Sequence, residues 1–138
     1  MKKLGMFLAA LTSFITGPTL AQQRHIPKVQ LEEMFADIEA QASWNIKGKM
    51  LWGYFFDSPN QSELEKIGAE LTSHDYRLVE IYQLETDTPL SAPEWQLHVE
   101  RVELHNVDTL YSRNTQLENL ASQYNNVIYD GMDVGPAN

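Results

Sequence analysis

Between Leu51 and Leu71 the chain reads LWGYFFDSPNQSELEKIGAEL, and the period of its apolar positions changes midway. Leu51, Trp52, Tyr54, Phe55 and Phe56 form a run apolar on both faces, broken only by Gly53, which predicts a central strand. After Asp57 the spacing becomes helical: Leu64, Ile67 and Leu71 make one stripe, while Glu63, Glu65, Lys66 and Glu70 are left to water. Ser58-Pro59-Asn60-Gln61 predicts the helix start, with Ser58 as N-cap, Pro59 as first helical residue and Gln61 closing a capping box. Phe55 is expected in the core on this reading, and truncating it to Ala should then cost about 3–5 kcal/mol.

The same reading extends in both directions. From Val29, the positions Leu31, Met34, Phe35, Ile38 and Ala42 line one face of an amphipathic helix, and Gly48 suits the bend into the strand. Downstream, Ser73-His74-Asp75 ends the second helix, with Asp75 where a glycine would be favoured. Tyr76 to Leu84 and Trp95 to Leu104 have strand character, and Glu85 to Pro93 is a polar loop between them. Val102 and Leu104 fall one step out of phase with Trp95, Leu97 and Val99, which predicts a bulge near Glu100 or Arg101. A third helix starts at Val107 behind Asn106 as cap and ends at Asn125-Asn126. Val127-Ile128-Tyr129 is a short last strand, followed by a turn at Asp130-Gly131. The order helix, strand, helix, strand, strand, helix, strand predicts an α+β, ferredoxin-like fold. It has a four-stranded antiparallel sheet with two packed helices, and an extra N-terminal helix covers an edge or the open face.

The first residues fall outside that pattern. Lys2-Lys3, the uncharged apolar stretch Leu4 to Thr16, and Thr19 and Ala21 at −3 and −1 of a cut before Gln22 have the form of a signal peptide. Residues 1–21 are therefore expected to be removed, leaving a single domain over 22–138 in the periplasm or outside the cell; the alternative is an uncleaved anchor in the inner membrane. Losing the two leader lysines takes the formal charge from −9 to −11. An acidic chain without clustered Lys or Arg is a poor ligand for nucleic acid, which leaves a protein as the expected partner. With no cysteine, disulfides, lipoprotein modification and thiolate metal sites are excluded.

Taken together, LWGYFF at 51–56, YRLVEI at 76–81, WQLHVERVELH at 95–105, RN at 113–114 and YDGMD at 129–133 resemble the ribonuclease E inhibitor RraB family. Met132 departs from the pattern, since family members tend to have Trp there. The resemblance covers roughly Phe35 to Val134. It implies a ferredoxin-like domain without catalysis, whose characterised members are acidic cytosolic proteins that bind RNase E and damp its activity. A leader is at odds with that compartment.

Candidate chemistry centres on His98, Glu100 and His105 on or next to one strand, with Asp130 on the C-terminal turn. His98 and Glu100 share a face by the period-two rule, so the set offers the start of a zinc or hydrolytic site. The plainer alternative pairs these residues with cross-strand neighbours, for example His98 with Glu80. Asp57 is expected at a helix N-terminus, and Asp130 and Asp133 at a turn. Arg113 and Asn114 are expected on the polar side of the last helix, either anchoring the C-terminal turn through Asp130 or Asp133 or facing a partner. No G-x-S-x-G motif and no phosphate-cradling glycine loop is present, and no cofactor or small-molecule ligand is expected.

Overall fold

A computed structural model describes residues 7–8, 25–85 and 93–137. The remainder of the expected leader and most of the Glu85 to Pro93 loop lie outside the described residues. Strand β1 (Phe7–Leu8) is followed by α1 (Lys28–Gln41), β2 (Met50–Ser58), α2 (Gln61–Thr72), β3 (Arg77–Gln83), β4 (Trp95–Glu103), α3 (Val107–Ala121) and β5 (Ile128–Pro136). The sheet runs β1-β5-β2-β4-β3 with every neighbouring pair antiparallel. Without the two-residue β1 this is the ferredoxin-like arrangement, with β2 and β4 at the centre.

Alternation along β2 explains which side became the core. Trp52, Tyr54 and Phe56 are completely buried against the helices, with Leu97 and Val99 of β4 and Tyr129, Met132 and Val134 of β5. Each such side chain contributes on the order of 1.5–3 kcal/mol by leaving water. Phe55 belongs to the other face: it is partly exposed and stacks on His98 with ring centroids 4.4 Å apart, so it is not the core residue expected. Helix α1 joins the helical layer beside α3, burying Leu31, Phe35 and Ile38, and Phe35 stacks on Trp52. It does not cross to the open face.

Local signals held where a side chain had one partner to choose. Asn106 caps α3 in a full capping box with Thr109, and Asp75 adopts the left-handed conformation at φ 73°. At α2 the cap is Asn60, not Ser58, and Gln61 opens the helix. The Ser58 hydroxyl accepts the Asn60 amide at 2.9 Å, so it shapes the strand-to-helix turn and is spent before the helix begins. Glu63, expected in water, is 6 % exposed because it accepts both Lys66 Nζ and the Asn125 amide.

Two further expectations give way to sheet pairing. β4 stays in register with β2 from Trp95 to Glu103, so there is no bulge at Glu100 or Arg101 on that side. Val102 and Leu104 are instead exposed, and the irregularity lies opposite, between Leu78 and Glu80 of β3. Asp130-Gly131 is not a terminal turn. It is a bulge inside a nine-residue β5, opposite Phe55 and Phe56, with Gly131 at φ 127°, a conformation suited to glycine. Among the described residues no helix is long and apolar enough to cross a membrane.

Candidate functional site

The two faces of the sheet carry different chemistry, and the expected constellation is divided between them. His98 and Glu100 project from β4 onto the face away from the helices, together with Asp57 and Gly53 of β2 and Asp133 of β5. His98 and Glu80 are cross-strand partners, as the plainer reading proposed. Arg77 forms an ion pair with Glu100. Gln96 Nε2 donates to Asp57 Oδ1 at 2.7 Å and to Asp130 Oδ2 at 3.4 Å, while its carbonyl oxygen accepts the Tyr82 hydroxyl. Asp57 thus lies near the end of β2 as a buried acceptor.

Gly53 sets how closely this face packs. A Cβ there would fall on the Asp133 carboxylate and lie 2.9 Å from His98 Nε2, so both side chains lie over the bare backbone of β2. The carboxylates are crowded enough to affect their neighbours. Burial, then the negative charges of Asp57, Glu80, Asp130 and Asp133, push the Tyr82 hydroxyl up to about 12. Burial and Asp130 likewise raise the Glu94 carboxyl.

His105 is on the helix side, edge-on to Trp52, with Nε2 3.2 Å from the Tyr54 hydroxyl and Nδ1 3.0 Å from Thr109 Oγ1. The sheet thus separates it from His98. Among the described residues no group of three or more His, Asp or Glu is arranged to hold a metal ion.

Arg113 and Asn114 also turn inward, contrary to expectation. Asn114 is 1 % exposed, and its Oδ1 accepts the buried Tyr129 hydroxyl at 2.6 Å, which ties α3 to β5 without Asp130 or Asp133. Arg113 Nη2 reaches Glu103 Oε1 of β4 at 2.6 Å. Glu103, which sequence reasoning passed over, is the hub of this second cluster: its Oε2 accepts Tyr54 at 2.6 Å and lies 3.4 Å from His105 Nε2. Burial alone would raise its carboxyl, but the hydrogen bonds from His105 and Tyr54 and the Arg113 charge prevail and hold it at about 2. The available signal was an acidic residue in phase with Leu97 and Val99, the inward positions of β4. Arg101 and Arg113 lie over the Tyr76 ring at 4.8 and 5.8 Å and border a cleft of about 470 Å³ with His74 and Leu120.

A split strand-helix-strand sheet with a buried polar cluster on its helix side and a carboxylate-rich open face defines a small α+β domain. The model of the family described as "Regulator of ribonuclease activity B" matches residues 29–134, spanning α1 to β5, and the chain belongs to that family. No curated protein matches the chain significantly.

Proposed function

We propose that this protein is an exported, non-catalytic regulator that works by binding another protein. The family match over residues 29–134 carries the reading, since the family is described by regulation of a ribonuclease and not by a reaction of its own. Export rests on the leader-like residues 1–21. In that compartment a cytosolic nuclease is out of reach, so the partner is a periplasmic or extracellular protein. The acidic balance of the chain, formal charge −9, favours one with a basic contact surface. The test is affinity purification of the C-terminally tagged protein from periplasmic extract. The proposal expects one protein to co-purify in near-stoichiometric amount and to be released by salt. Recovery of the protein alone from that extract, or full-length in the cytosol bound to RNase E, would contradict it.

A further inference from the structure

The two edges of the sheet are not alike. β3 has the protections of a free edge: exposed Arg77, Glu80 and Gln83, and a bulge between Leu78 and Glu80. β5 has no exposed side chain from Ile128 to Gly135, although it is the other end of the four-stranded sheet. What pairs with it is β1, the apolar dipeptide Phe7–Leu8, antiparallel and in register with Val134 and Asp133. Those two residues fall in the first half of the apolar stretch of the leader.

We infer that the outer edge of β5 is a strand-acceptor site. It is occupied by Phe7–Leu8 in the unprocessed chain and released on cleavage to take an extended apolar segment of the partner protein. The release step rests on the export reading above; the acceptor edge does not. Main-chain hydrogen bonds would supply the binding, as in other cases of strand addition, and β5 is nine residues long, enough to pair with a guest strand of similar length. Apolar residues are expected in the guest opposite Val134, where Phe7 now pairs. Until the leader is removed, the site is filled from within the same chain at high effective concentration.

The probe is the synthetic peptide KLGMFLAAL, residues 3–11 of the chain, with a second version N-methylated at Phe7 and Leu8. Backbone amide exchange of the protein recovered from the periplasm should slow about tenfold in β5 at a peptide concentration about ten times its Kd. The N-methylated peptide should have no such effect. Full-length protein should bind the peptide roughly tenfold more weakly than its Phe7→Asp, Leu8→Asp variant, because the native segment competes; this comparison holds whether or not export occurs. Equal binding of both peptides, protection outside β5, or equal affinity of the two full-length proteins would overturn the proposal. So would self-association that protects the same amides without peptide, since the occupant would then be a second copy. A cytosolic, uncleaved product would refute export but leave the full-length comparison to decide the acceptor edge.

Discussion

Replacing Glu103 by Gln keeps the shape of the side chain and removes the charge on which the buried cluster converges. The carboxylate is 8 % exposed and sits 2.6 Å from both the Tyr54 hydroxyl and Arg113 Nη2, with Arg101 Nε at 3.9 Å. Its pKa falls from 4.5 to about 2 on folding, and each unit corresponds to about 1.4 kcal/mol. The upper bound is therefore about 3–4 kcal/mol at neutral pH; allowing for water at the partly exposed Arg113, about 2 kcal/mol is expected. The sign follows from the depressed pKa. The contribution is complete above the unfolded value of 4.5 and disappears as pH drops toward about 2, so Glu103→Gln should be less stable at pH 7, with the gap closing through that window. Urea denaturation followed by Trp fluorescence at several pH values measures it directly. Equal stability at pH 7, or a gap that stays constant from pH 6 to pH 3, would refute the ionised-hub reading.

Three further substitutions test the rest of the interior and the open face. Asn114→Ala should destabilise by about 1–3 kcal/mol by removing the 2.6 Å hydrogen bond from the Tyr129 hydroxyl, and a chemical-denaturation cycle with Tyr129→Phe should show the two changes costing less together than their sum. Gly53→Ala should cost about 1–3 kcal/mol despite the better strand propensity of Ala, because its methyl meets Asp133 and His98; an unchanged melting temperature would contradict that packing. Protein purified without chelators should contain no zinc that His98→Ala removes. Near-stoichiometric zinc lost in that variant by atomic absorption would instead establish a metal site.

Periodicity made the fold legible because the strongest signals were local. A three-residue stripe in α2, the Asn106 cap and the left-handed Asp75 each depend on a few adjacent residues. What could not be read were decisions made across the sheet. Phe55 and Phe56 are equally apolar, and only pairing with β4 and β5 determines which of them faces the helices. Asp130-Gly131 has the composition of a turn, yet β2 continues beside it and turns it into a bulge. The site suffered more. His98 lies inside β4 and His105 two residues past its end, so the period-two rule could place only the first, and Glu103 gave notice of itself only through its inward phase. Asn114 looked like a helix-surface residue because its partner, Tyr129, is distant in sequence.

Export, with a partner outside the cytosol, is the central proposal, and one fractionation experiment tests it. With an epitope tag after Asn138, the protein should be recovered from the periplasm with Gln22 as its first residue by intact mass, bound to a second protein in that fraction. A full-length cytosolic product retaining Met1 to Ala21 would contradict it and make inhibition of RNase E the leading function.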